Sequence, residues 1–273
     1  MNWPRVKTIL IFLFLVVDLI LLATIIVPSV SLSRIPQETI QNTAALLSSR
    51  GIEISPDIIP ARRESLAVIE LYNLWPQADK LSRKLIGSSQ PSGDNTFTNG
   101  SKTLVLSGGS FEYKNTQSEN SIPHELIDLG IDSRENLYEQ GESSLRVWQS
   151  VDDKKIFESE IYASQTDSAI SVSGYWIFSD RDKGIITNTP DTLIDVTGVL
   201  IDFISNPVRD DNIRITSIEL GYSTGAAYRD TTHKLVSASP AYKISTDTGA
   251  YYMYDALSGD FLYAYKNGEI KAQ

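Results

Sequence analysis

AYKISTDTGAYYMYDALSGDFLYAYKNGEI, residues 241–270, is the most regular stretch of the chain. Three short apolar and aromatic runs, 241–245, 250–256 and 261–266, alternate with the turn pairs Thr248-Gly249, Ser258-Gly259 and Asn267-Gly268. Runs of that length punctuated by Gly-containing pairs predict antiparallel strands, and Asn-Gly is a strong signal for a tight hairpin. Tyr242, Tyr251, Tyr252, Tyr254, Tyr263 and Tyr265 lie here, six of the chain's 13 tyrosines. Cross-strand packing is one reading of so many rings. A binding face is the other, because Tyr presents a large contact area with few rotamers to lose.

Upstream, strands alternate with helices. Thr189-Pro190-Asp191 predicts a helix start, with Leu193, Thr197, Leu200, Ile201 and Ile204 on its buried face and Asn206-Pro207 as its stop. Residues 213–220 predict a strand, and 221–239 a looser stretch. Three strands over 145–151, 155–163 and 169–178 predict a meander that offers Trp148, Phe157, Tyr175 and Trp176 to a core. Residues 115–141 are polar, with a short helix over 123–129. A hairpin over 102–114 turns at Gly108-Gly109, and 87–101 reads as a loop by composition. Residues 66–75 predict a strand, 76–86 a helix with Ala78, Leu81 and Leu85 on one face, and 33–50 a helix striped by Ile40, Ala44 and Leu47. Helices among antiparallel strands give an expected α+β class.

The N-terminal end has a different character. Residues 9–27, ILIFLFLVVDLILLATIIV, hold 16 large apolar residues and one charge, Asp18. As a helix this run would extend roughly 28 Å, close to the hydrocarbon thickness of a bilayer. It therefore predicts a single transmembrane helix, with Arg5 and Lys7 keeping the N-terminus cytoplasmic and the C-terminal part extracytoplasmic. A cleaved signal peptide is the alternative, although its apolar core is usually shorter. An intramembrane carboxylate rarely faces lipid, so Asp18 predicts a face for a partner helix, made with Ile11, Phe14, Leu21, Leu22 and Ile25. The expected organisation is a short cytoplasmic head (1–8), the span (9–27), a linker (28–35), and two α+β subdomains, 36–141 and 142–273.

Composition limits the function. The chain has 24 basic and 34 acidic residues, a formal net charge of −10. Without Arg5, Lys7 and Asp18 the counts are 22 and 33, a net of −11, which disfavours nucleic acid as a partner. Cysteine is absent, which removes disulfides and thiolate zinc sites. The two histidines, His124 and His233, have no HExxH-type spacing. Ser107-Gly108-Gly109-Ser110 lacks the G-x-S-x-G elbow, and no phosphate-binding glycine motif occurs. The acid pairs Asp152-Asp153 and Asp210-Asp211 sit beside turns, where Asp serves local hydrogen bonding. The sequence therefore predicts no catalytic residue, no metal site and no cofactor, and a non-enzymatic role.

Two stretches resemble a known family. MNWPRVKTILIFLFLVVDLILL (residues 1–22) and SIELGYSTGAAYRDTTHKLVSASPAYKISTDTGAYYMYDALSG (217–259) resemble the YycI branch of the YycH/YycI family of Gram-positive bacteria, and KIFESEIY (155–162) is similar to that family's strand after the central loop. Glu219-Leu220-Gly221-Tyr222, Pro240-Ala241-Tyr242, Tyr251-Tyr252 and Asp255-Ala256 carry most of the likeness. It implies a membrane-anchored accessory regulator that acts with a YycH-like companion on a sensor histidine kinase of the YycG (WalK) type, controlling cell-wall metabolism through transmembrane contacts. The tail is also similar to PepSY-type modules, which implies as the alternative a binding or inhibitory module for cell-wall enzymes or peptides.

Overall fold

Residues 3, 7, 11–18, 34–88, 90–93, 95–132, 134–180, 182–225 and 232–271 are described by the computed structural model of the chain. The apolar stripe Ile40, Ala44 and Leu47 is buried on α1 (Gln37–Ser49), and the chain leaves this helix through Gly51 at φ +75°. Next come β1 (Ile52–Glu53), β2 (Ser65–Leu66), β3 (Ile69–Tyr72) and α2 (Ala78–Ile86). A run of strands follows: β4 (Gln90–Gly93), β5 (Thr96–Asn99), β6 (Lys102–Ser107) and β7 (Ser110–Asn115). After α3 (Ile122–Asp128) lie β8 (Leu137–Gln140), β9 (Ser144–Val151), β10 (Lys154–Thr166) and β11 (Ala169–Tyr175). The last third holds β12 (Ile185–Thr187), β13 (Asp191–Thr192), α4 (Val196–Ile204), β14 (Ile213–Ser223), β15 (Leu235–Thr246), β16 (Tyr251–Asp255), β17 (Phe261–Lys266) and β18 (Glu269–Lys271).

Sixteen of these strands form one continuous sheet with two antiparallel lobes, along the order β18-β17-β16-β15-β14-β10-β11-β7-β6-β5-β4 with β1, β3, β8, β9 and β12 branching from it, while β2 and β13 pair separately. The lobes meet at a single parallel step, where Ile156 of β10 registers with Tyr222 of β14. In the first lobe a core that includes Leu81, Leu85, Phe111, Leu126, Val147, Val172 and Trp176 is packed around α2, α3 and the sheet. In the second, α1 and α4 bury Leu47, Leu200 and Phe203 against Ile215, Ile244 and Tyr252. Phe203 meets Tyr252 edge-on at 5.0 Å, a preferred aromatic geometry. A small third cluster, including Ile69, Ile156, Ile177, Tyr222 and Val236, fills the junction. The two larger cores are interleaved in sequence: α1 and β1 join the second lobe, where Ile52 pairs in parallel with Ile213.

The class differs from the α+β expectation. Among the described residues 45% are strand and 22% helix, so the chain is mostly β and built on one large sheet. The difference arises in stretches whose side chains carry little strand signal. Residues 87–101, expected as a loop, supply β4 and β5, and only Phe97 of these strands is buried. Their pairing is a backbone ladder onto β6, which a polar composition does not disclose. The helix expected after Pro190 starts later, at Val196, because Asp191 and Thr192 pair with Ser65 and Leu66 instead. Its buried face shifts accordingly to Val196, Thr197, Val199, Leu200 and Phe203, leaving Ile201 exposed.

The expected membrane placement is also corrected. Among the described residues no helix is long and apolar enough to cross a membrane. Within 9–27, residues 11–18 are helical. Residues 9, 10 and 19–27 lie outside the described residues. The described residues thus do not form the expected transmembrane helix on which the single-pass arrangement, with the C-terminal part outside the cell, was based.

A carboxylate is buried inside the first lobe. Glu125 of α3 is fully buried and accepts hydrogen bonds from the Tyr113 hydroxyl, Asn115 Nδ2 (3.0 Å), Ser118 Oγ (2.9 Å) and Asn120 Nδ2 (3.2 Å). Burial alone would push this carboxyl up, but the four donors outweigh it and hold the group below its ordinary range. Tyr113 is pushed up in turn, by its own burial and by the carboxylate beside it. A charge satisfied on every side ties α3 to β7.

Glu125→Gln is expected to cost about 1.5–3 kcal/mol near neutral pH, the worth of hydrogen bonds to a charged group. Because the folded carboxyl is depressed, its contribution is present above the ordinary Glu value and is lost as pH falls through the folded value. Urea unfolding should therefore show the gap between wild type and Glu125→Gln narrowing once pH drops below about 4.3. Gly174 lies at φ +141°, and an added Cβ would stand 2.3 Å from the Glu160 carbonyl oxygen. Gly174→Ala should cost at least about 1–3 kcal/mol in the same assay, with no change in net charge.

Candidate functional site

The C-terminal sheet separates its tyrosines by face. Tyr242, Tyr252 and Tyr254 are buried toward the helices α1 and α4. Burial pushes the Tyr242 hydroxyl up to about 12, and it donates to the Ile194 carbonyl (3.1 Å). On the opposite face, Tyr251 stacks on Tyr265 at 5.2 Å and meets Tyr263 edge-on at 6.4 Å. These three rings line one wall of a groove of about 1190 Å³. Residues of β10 and β11, including Phe157, Tyr162 and Tyr175, form the other wall. The groove lies at the seam of the two lobes.

Its position follows from a break in β10. Lys154 and Lys155 pair with β9, and so do Glu160 to Ser164, but the register shifts between them. Buried positions run Ile156, Ser159, Ile161 and Ala163, so one step of three interrupts a period of two. The irregularity turns Glu158 toward the second lobe. There Glu158 accepts hydrogen bonds from Ser223 Oγ (2.5 Å), Tyr263 OH (2.6 Å), the Thr224 amide (3.0 Å) and Thr224 Oγ1 (3.3 Å). Tyr263 is pushed up by burial and by the Glu158 charge. Ser159, on the other face, donates to Gln149 (2.6 Å), which also accepts the Ile177 amide. One bulge therefore places polar anchors on both sides of the strand.

A lysine underlies the aromatic wall. Lys243 of β15 sits 4.6 Å from the Tyr251 ring centroid and 5.6 Å from that of Phe157. Burial lowers its pKa, an effect opposed by Glu219, Glu160 and Glu158. Nearby, Lys155 pairs with Glu219 at 2.9 Å and covers the Trp148 ring. These cations show that the rings at this seam accept positive charge.

A second cavity, of about 610 Å³, opens beside Trp176 and Gln149 in the first lobe. The Ser179 hydroxyl at its wall is buried without a hydrogen-bond partner among the described residues, and Asp180 there pairs with Lys80 at 3.5 Å.

The sequence-predicted partner face is not assembled by the described residues. Ile11, Phe14 and Asp18 are exposed, while Leu21, Leu22 and Ile25 lie outside the described residues. Asp152 and Asp153 form the tight β9–β10 turn, both at positive φ, as their turn reading implied. Asp210 pairs with Lys266 across the second lobe. His124 on α3 and His233 ahead of β15 are both exposed. Glu158, Ser223 and Thr224 were missed, whereas Tyr263 was singled out only as one of the C-terminal tyrosines. The available signal was the doubled apolar pair Ile156-Phe157, which breaks strand alternation where the bulge forms.

Compared with known proteins, the chain matches no family model and no curated protein. The family resemblance therefore rests on the quoted residues alone.

Glu158→Ala would leave the Ser223, Thr224 and Tyr263 donors without their acceptor. A destabilisation of about 2–3 kcal/mol is expected in chemical unfolding, against a smaller loss for Glu158→Gln, which keeps one acceptor oxygen.

Proposed function

We propose that the protein is a non-catalytic accessory regulator that docks a protein partner in the tyrosine-lined groove. The partner in this reading is a sensor histidine kinase of the YycG (WalK) type, acting with a YycH-like companion in the control of cell-wall metabolism. One observation carries the reading: two of the stretches that resemble YycI, 155–162 and 217–259, meet at this groove. Residues 155–162 run along β10 and supply Phe157, Glu158, Glu160 and Tyr162 to one wall. Residues 217–259 form most of β14, with β15 and β16, and bring Tyr251 to the other. Rigid aromatic rings at a seam between two lobes suit recognition, since they bury area at low entropic cost. A ligand that bridges both walls would bias the lobes toward one arrangement, which is the coupling a regulator needs.

The test is recovery of kinase and companion on the tagged full-length chain. The variant is Tyr162→Ala combined with Tyr265→Ala, both exposed in the groove and cheap for folding. Loss of two aromatic anchors is expected to lower kinase recovery about tenfold or more. Equal recovery by wild type and variant would overturn groove docking, and selective recovery of a cell-wall enzyme instead would favour the PepSY-type alternative.

A further inference from the structure

The chemistry of the groove's occupant can be taken one step further, on the basis of the docking role just described. The geometry points to an extended partner segment carrying arginine or lysine side chains. Three carboxylates, Glu158, Glu160 and Glu269, line the groove, and no basic side chain lines it among the described residues. Glu158 is met by neutral donors, which satisfy its lone pairs without cancelling its charge. Glu160 is paired with Arg146 at 2.8 Å, but Glu269 has no ion-pair partner among the described residues. The protein as a whole carries a formal charge of −10, which adds long-range attraction for a cationic segment.

The rings supply the second half of recognition. At the inner end Lys243 already lies over Tyr251, so the aromatic wall is shown to hold an ammonium group at 4.6 Å. Further out, Tyr162 and Tyr265 stand on opposite walls, 50% and 36% exposed, and no cation covers either among the described residues. A guanidinium or ammonium entering between them would find ring faces and carboxylates together, the combination that favours cation–π contact. The rim argues for an extended backbone. β18 is the last strand of the sheet order and pairs only with β17, so its outer edge offers unpaired donors and acceptors.

The experiment measures binding of labelled decapeptides to the full chain by fluorescence anisotropy. An alternating Arg-Val peptide is compared with its Gln-Val and Glu-Val counterparts. The Arg peptide is expected to bind about tenfold tighter than the Gln peptide, with the Glu peptide weakest. Glu269→Lys and Tyr265→Ala, both surface changes, should each reduce Arg-peptide affinity several-fold. Raising salt from about 0.1 M to about 1 M, which shortens the screening length from about 10 to about 3 Å, should do the same. Equal binding of the three peptides, or Arg-peptide binding indifferent to both variants, would overturn the inference. The outcomes separate from those of the docking role: groove-dependent kinase recovery without charge preference among peptides sinks only the basic-segment inference. Charge-selective peptide binding without kinase recovery sinks only the regulatory reading.

Discussion

Strand β10 belongs to two lobes at once, and the rest of the molecule is arranged around that fact. Its C-terminal half is an ordinary antiparallel partner of β9 and β11. Its N-terminal half touches the second lobe through one parallel pair, Ile156 with Tyr222. A single ladder step cannot fix two lobes, so side chains do so. Glu158 reaches across to Ser223, Thr224 and Tyr263 of the second lobe, while Ser159 holds Gln149 of β9 within the first. The small apolar cluster around Ile156, Ile177 and Val236 closes the space between. The groove is the outer surface of this joint.

The molecule uses hydrogen-bonded carboxylates for two different purposes. Glu125 is sealed in the first lobe with four neutral donors, and its role is to hold α3 onto the sheet. Glu158 has a similar donor set but lies in the groove wall. A third acid, Asp195, precedes α4 at its N-cap position, yet its carboxylate makes no capping bond. It is held instead by Arg63, with two N–O distances of 2.7 Å, linking the helix to the connector after α1. Both partners are about one-third exposed, so solvent screening keeps that pair's contribution to stability small. Its bidentate geometry still fixes the angle at which α4 meets the sheet.

Much of the architecture was legible where side chains carry the signal. The stripe Ile40-Ala44-Leu47 marks α1, and Gly108-Gly109 and Asn267-Gly268 mark hairpins whose turn residues all take positive φ. The C-terminal meander is readable because its faces alternate, Tyr252 and Tyr254 inward to Phe203 and Tyr251 outward. What was not legible depends on long-range pairing. The polar β4–β5 hairpin and the edge strand β12 exist because neighbouring backbones complete their ladders. The late start of α4 depends on Ser65 and Leu66, more than a hundred residues away. The binding reading of the tyrosines was half visible: their number pointed to this sheet, but only the fold tells which face is core and which is groove.

The path of α1 has a consequence for how the chain comes to be folded. This early helix and β1 dock on α4 and β14, elements that emerge from the ribosome only after some 150 further residues have been made. Until then Ile40, Ala44 and Leu47 lack their native cover, while the first lobe, whose contacts lie between residues 74 and 178, is free to close by itself. Synthesis therefore leaves a sticky amphipathic segment waiting beside a finished unit, a setting that favours chaperone capture and penalises interruption. A chain terminated before α4 and β14 would leave this helix without the surface that covers it.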